Sequence, residues 1–221
     1  MSKILLIGTS PISLINFRKE LIKSLIVNGH QVIVMVSKFT STEVENIKNL
    51  GVEYIDYSVE RNSLNPLADL KTLLNFIKVF TSENPGIVLA YTIKPVVWGG
   101  LASRLFKFNF YALITGLGFA FQGDSFKRKF LTKLVVFLYK AALKKSKAVI
   151  FQNTDNRDVF VSKGIVELSK THVVNGSGVD LEKYSVENLP RGGIKFLCLS
   201  RLLGEKGLRE YVEAAKIVKN K

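Results

Sequence analysis

The chain has one cysteine and two histidines in 221 residues. A single thiol, Cys198, excludes a disulfide framework, and His30 and His172 alone cannot build a His/Cys zinc cluster. Cys198 stands in the apolar run "FLCLS", which predicts a strand and hence a buried thiol in a reducing compartment. No uninterrupted apolar run reaches the roughly 18 residues of an ordinary spanning helix. The opening "MSKILLIGTS" is too short in apolar residues for a signal peptide and runs into glycine, so a cytoplasmic protein is expected. After the first apolar run stands "GTSPISLINFR", not Gly-x-Gly-x-x-Gly, so a nicotinamide or flavin enzyme is not expected. Internal repeats and low-complexity segments are missing.

Acid is scarce in one region. Residues 84–154 hold eleven basic side chains and one acid, Asp124, so +10 of the net +14 lies in the middle of the chain. The flanking parts are nearly balanced, at +1 for residues 1–83 and +3 for residues 155–221. Such asymmetry points to an anionic partner at one face. No zinc finger, helix-turn-helix or aromatic RNA-binding signature accompanies it, so nucleic acid is not the expected partner.

What is present is a regular alternation of short apolar strands and longer helices. "KILLIG", "QVIVMVS", "VEYIDYS", "GIVLAYT", "FYALIT", "KAVIFQN" and "THVVNG" read as strands, with helical patterns between them. The strands are almost continuously apolar, which predicts cover on both faces. The fold class is therefore α/β, a doubly wound parallel sheet. Residues 175–192, rich in Gly, Ser, Asn and charge, break the rhythm as an interdomain linker does. "IKFLCLS" and "GEKGLREYVEAAKIVKNK" then read as one strand and one helix of an incomplete second domain. The expected organisation is a domain over 1–174, a linker over 175–193 and the start of a second domain over 194–221.

Ligands of parallel sheets bind beyond the carboxyl ends of the strands. The loops there offer Asn16 and Arg18 after the first strand, Arg61 after the third and Lys94 before Pro95 after the fourth. Asn16 and Arg18 read equally well as a polar first helical turn, and Arg61 as a solvated loop cation. After the fifth strand, "ITGLGFAFQGD" offers Gly116 and Gly118, where backbone can approach a ligand. Leu117, Phe119 and Phe121 among those glycines predict a lid or a membrane-facing flap.

The motifs "NFR", "R-x-S-L-N-P" at 61–66, "TIKP-x-x-x-G" at 92–99, "ITGLG" at 114–118, "FQN-x-D-x-R-D-x-F" at 151–160, "GSGVDLEKY" at 176–184 and "SRLLGEKG" at 200–207 occur in this order. Together they resemble the bacterial glycosyltransferases of family 4, over essentially the whole chain. The resemblance implies the GT-B architecture of two Rossmann-like domains, with retaining transfer from a nucleotide sugar and no metal or other cofactor. It places the acceptor mainly against the first domain, here lined by Asn16, Arg18, Arg61, Lys94, Gly116, Gly118 and Asn153. Arg201 and Lys206 match the basic pair that binds the donor diphosphate, where two cations offset phosphate charge. No residue is assigned a catalytic role. The Glu-x7-Glu motif of such enzymes belongs to a part expected beyond Lys221. The chain is thus expected to be a truncated or split enzyme, the rest supplied by a second chain if it is supplied at all. A non-catalytic, membrane-associated partner subunit and an inactive remnant are the alternative readings.

Residues 127–147, "KRKFLTKLVVFLYKAALKKSK", hold eight basic side chains and no acid. Core packing is expected to take part of the apolar stripe, with a solvated basic face. Lys127, Arg128, Lys129 and Lys133 beside Phe and Leu also suit an anionic membrane surface. With the family resemblance, which implies a lipid-linked sugar acceptor, this predicts a peripheral enzyme on the inner face of the cytoplasmic membrane, in surface polysaccharide or glycan assembly.

Overall fold

The structure is a computed structural model that describes residues 1–59, 65–118, 121, 126–188, 192–200, 202 and 204–219, without the side chains of residues 127, 128 and 205. Arg61, Arg201 and the side chains of Lys127 and Arg128 lie outside the described residues. The chain divides into two compact units, Met1–Asp180 and Leu181–Lys221.

The first unit contains all seven strands read from the sequence. They are β1 (Lys3–Ile7), β2 (Gln31–Val36), β3 (Glu53–Asp56), β4 (Ile87–Tyr91), β5 (Asn109–Ile114), β6 (Ala148–Phe151) and β7 (Thr171–Val173). All pairs are parallel, in the order β3-β2-β1-β4-β5-β6-β7. Six helices connect them: α1 (Pro11–Val27), α2 (Ser41–Lys48), α3 (Pro66–Glu83), α4 (Ile93–Ser103), α5 (Phe126–Leu143) and α6 (Thr154–Ser162).

Local sequence sets the helix ends. Pro11 and Pro66 sit in the first turns of α1 and α3, where a missing N–H costs nothing. Thr40 and Glu43 form a reciprocal capping box on α2, and Asn65 caps α3 through the Leu67 N–H at 3.0 Å.

Alternation along the strands feeds two cores. Leu5, Ile7, Ile33, Met35, Val88 and Ala90 face one side, against Phe76 and Phe80 of α3, Val96 and Val97 of α4, Tyr139 of α5 and Phe160 of α6. Leu6, Val32, Val34 and Val36 face the other, against Leu14 and Ile22 of α1 and Ile47 of α2. The central strands are thus covered on both faces, as their apolar composition predicts. The edge strands are not: β3 carries exposed Glu53, Tyr54 and Asp56, and β7 exposed His172 and Val173. The helices close tightly where side chains are small. A Cβ on Gly100 of α4 would lie 2.8 Å from the Ala142 carbonyl of α5.

The second unit holds a 3-10 turn, Gly204–Lys206, and α7 (Leu208–Lys219). The strand expected over 194–200 is not formed, and Ile194, Phe196, Leu197 and Leu199 are exposed. Cys198 is exposed as well, which corrects its reading as a buried thiol. The reason is physical: an apolar run becomes a strand only beside a partner that satisfies its backbone groups, and composition does not supply one.

Candidate functional site

The strand order reverses between β1 and β4. Doubly wound sheets generally bind their ligands in a crevice at such a topological switch point, beyond the carboxyl ends of the strands. Two corners form it, Gly8–Ser10 leading into α1 and Tyr91–Thr92 leading into α4.

The first corner is braced from three strands. The Gly8 N–H donates to the Met35 carbonyl at 2.9 Å, and the Gly8 carbonyl accepts from the Tyr57 hydroxyl at 2.7 Å. The Ser37 hydroxyl donates to the Thr9 carbonyl at 3.1 Å. A side chain at position 8 is excluded, since a Cβ there would overlap the end of the Tyr91 ring. At the second corner Thr92 adopts φ 68° and ψ 159°, a strained conformation for a β-branched residue, and its hydroxyl donates to Thr9 Oγ1 at 3.3 Å. Strain of this kind persists where surrounding structure enforces it, often at functional sites.

Arg18, two turns into α1, returns to this crevice. It is 4% exposed, with its guanidinium 5.0 Å from the centre of the Tyr91 ring. Nη1 donates to the Phe17 carbonyl at 2.7 Å and to the Ser177 hydroxyl at 2.8 Å. Ser177 also accepts from Gln152 Nε2 at 2.9 Å, so Arg18 and Gln152 hold the turn after β7. Nε of Arg18 is buried without a hydrogen-bond partner, and the buried Tyr91 hydroxyl has the Ser13 side chain as a polar neighbour. Among the described residues no carboxylate forms an ion pair with Arg18. Burial lowers the guanidinium's pKa from its ordinary value, against a smaller opposite effect of Tyr91. Burial likewise pushes the Tyr91 phenol far above its ordinary value, with Arg18 pulling the other way.

Lys94, in the first turn of α4, meets a different fate. Its ammonium pairs with Asp69 of α3 at 2.7 Å, both side chains being mostly buried. Its charge is already compensated within the fold. Asn16 is exposed on α1. Asn153 caps α6 by accepting from the Asn156 N–H at 2.8 Å. Gly116 has open space around it, and Gly118, at φ 73°, lies against Ile93 of α4. Leu117 and Phe121 pack on the core, Phe121 stacked 6.0 Å from Phe160. That corrects their reading as a lid or flap; Phe119 lies outside the described residues. Lys206 is exposed in the 3-10 turn of the second unit.

The structure thus adds Thr9, Tyr91, Thr92, Gln152 and Ser177 to the crevice. "GTS" and "YT" directly after apolar strands were the available signal for the first three. Nothing in sequence marks Ser177 as a partner of Arg18, 159 positions away.

A second feature lies on α5. Phe126, Phe130 and Phe137 are exposed there at 87%, 67% and 66%, beside exposed Lys129, Lys133 and Lys140. Lys129, Lys133, Lys140 and Lys163, with Val136 and Phe137, line a shallow groove of about 560 Å³. The described residues include no group of three or more His, Cys, Asp or Glu able to hold a metal ion. No described helix is long and apolar enough to cross a membrane.

Residues 3–153 match the family described as Glycosyl transferase 4-like. The chain is similar to the N,N'-diacetylbacillosaminyl-diphospho-undecaprenol alpha-1,3-N-acetylgalactosaminyltransferase of Campylobacter jejuni. They are 29% identical over 224 residues, covering 95% of this chain and 58% of the relative. It is also similar to the UDP-Gal:alpha-D-GlcNAc-diphosphoundecaprenol alpha-1,3-galactosyltransferase of Escherichia coli, 26% identical over 184 residues, covering 75% of this chain and 46% of the relative. The chain spans about half the length of these curated relatives. Among solved structures, a glycosyltransferase from Rickettsia africae superposes with a TM-score of 0.60 at 19% identity, over 86% of this chain and 46% of that one. The likeness is one of fold, the Rossmann-like sheet of GT-B enzymes.

Proposed function

Because the chain belongs to the glycosyl transferase 4-like family, we propose that it is the acceptor-side part of a hexosyltransferase that moves a sugar from a nucleotide sugar to a lipid-diphosphate-linked acceptor. The single observation that carries this reading is the alignment with two relatives whose names both specify an undecaprenyl-diphosphate-linked acceptor, one of them matched along 95% of this chain. The crevice fits the role. Thr9 and Thr92 hydroxyls suit sugar hydroxyls, and the open backbone at Gly116 permits close approach.

On this reading residues 1–174 bind the acceptor, residues 175–193 link, and residues 194–221 begin the donor side. Arg201 and Lys206 are the cations for the donor diphosphate, and stabilising the leaving nucleotide needs no metal. The nucleotide sugar is a substrate.

The membrane belongs to the same proposal. A lipid-linked acceptor does not leave the bilayer, so the enzyme works at its surface, on the cytoplasmic side in glycan assembly. The exposed Phe and Lys side chains of α5 supply both halves of a reversible attachment, apolar insertion and attraction to anionic lipid at about 1 kcal/mol per cation.

Isothermal titration of the chain with a short-chain prenyl-diphosphate-linked N-acetylhexosamine tests the acceptor reading, with the same sugar as an octyl glycoside for comparison. The diphosphate-linked sugar is expected to bind and the octyl glycoside to bind much more weakly. Equal affinity for the two, or no binding of either, would overturn the reading.

A further inference from the structure

An arginine enclosed by protein is normally matched by a carboxylate, because an uncompensated buried charge is costly. Arg18 is 4% exposed and has no such match among the described residues. Its contacts are a carbonyl, a serine hydroxyl and the face of Tyr91. All three are neutral, and Arg18 Nε is buried without a hydrogen-bond partner, beside a Tyr91 hydroxyl that has the Ser13 side chain as a polar neighbour. Lys94, at the neighbouring corner of the same crevice, has its carboxylate in Asp69. The fold therefore neutralises one cation at the switch point and leaves the other without a carboxylate and with its Nε unpartnered.

A guanidinium offers donors in a planar fork that matches phosphate oxygens. Its one side-chain partner, Ser177, is exposed and lies on the turn Gly176–Gly178, so an anion can take that hydroxyl's place without disturbing the core. We propose that Arg18 is the resident counter-charge for the diphosphate of the acceptor, which seats on the guanidinium and completes its hydrogen bonding. The inference rests on the acceptor reading given above and names the group that recognises the diphosphate. Arg18 is a binding residue, held ready by the Tyr91 ring and by Ser177 before the ligand arrives. Its uncompensated burial is a stability cost that ligand binding recovers.

Thermal unfolding and titration of the wild type, Arg18→Gln and Arg18→Met test this. The probes are the short-chain prenyl-diphosphate-linked N-acetylhexosamine, inorganic pyrophosphate and uridine diphosphate. The first two are expected to raise the wild-type midpoint, as any ligand of the folded state does. Both variants are expected to bind the diphosphate-linked sugar at least about tenfold more weakly, since a charge-assisted hydrogen bond is lost. The unliganded Arg18→Met variant is expected to melt at or above the wild-type temperature, which a merely structural arginine would not allow. Wild-type-like affinity of both variants for the diphosphate-linked sugar would overturn the inference while leaving the acceptor reading intact. Pyrophosphate binding that depends on Arg18, with no binding of the lipid-linked sugar, would keep the anion site and overturn the acceptor reading. Selective loss of uridine diphosphate binding would assign Arg18 to the donor and overturn the proposal, as would a wild type that binds none of the probes.

Discussion

The switch-point crevice and the outer face of α5 both carry positive charge, in opposite ways. At the crevice one guanidinium is enclosed, stacked on Tyr91 and deprived of a carboxylate. On α5, Lys129, Lys133 and Lys140 stand in water among exposed phenylalanines. An enclosed charge is costly, directional and little affected by salt, which suits recognition of one group. Exposed charges cost almost nothing to fold, act as a field and fade within a screening length of about 8–10 Å, which suits a surface. A net charge of +14 read from composition combines these two devices in a single number.

The largest expected effect separates buried from exposed groups by pH. Tyr57, Tyr91 and Tyr139 are each raised above the ordinary tyrosine value, in every case chiefly by burial. A raised folded value contributes stability that is complete below the unfolded value of about 10 and is lost as pH climbs above it. The crevice and the inner side of α5 are thus expected to fail together above about pH 10. Absorbance at 295 nm should show these three of the seven tyrosines ionising only with loss of circular dichroism. Ionisation of all seven before the fold is lost would break the account of an enclosed crevice.

Next in size is Gly8→Val. A branched side chain meets the Tyr91 ring, and the cost is expected to reach at least about 3 kcal/mol in denaturant unfolding. A cost below 1 kcal/mol, with ligand binding retained, would show that the corner is not rigid. Lys94→Met follows, at about 2 kcal/mol, because it leaves Asp69 mostly buried without its partner. Adding Asp69→Asn should recover part of that loss, and strict additivity of the two would deny the coupling. Smallest in stability is Lys129→Glu with Lys133→Glu, expected to change unfolding by less than about 0.5 kcal/mol. The same pair should weaken sedimentation with anionic vesicles, and wild-type binding should fall as salt rises. Equal binding to neutral vesicles, or no effect of the two changes, would remove the membrane role of α5.

Strand and helix order was readable because period and punctuation carry it. Apolar runs such as "KILLIG" and "QVIVMVS", alternating with helices whose starts are marked by caps such as Thr40 and Asn65, leave little choice of fold. The run "FLCLS" is likewise apolar and forms no strand, since pairing depends on a neighbour and not on the run itself. Phe121 was readable as apolar, but not as a residue stacked on Phe160, 39 positions on. The site divides along the same line. Arg18 and Lys94 were recognisable as cations near strand ends, while the feature that distinguishes them, Asp69 beside one and no carboxylate beside the other, is a fact of tertiary packing. Thr92 in a positive-φ conformation has no signature in the letters "YTIKP".

The central claim is that this crevice receives a lipid-linked diphosphate. A crystal structure of the protein with the short-chain prenyl-diphosphate-linked sugar tests it most directly. The account predicts diphosphate density beyond the carboxyl ends of β1 and β4, with a phosphate oxygen about 2.7–2.9 Å from an Arg18 guanidinium nitrogen. Diphosphate density bound instead along the lysines of α5, with the crevice unchanged, would contradict it.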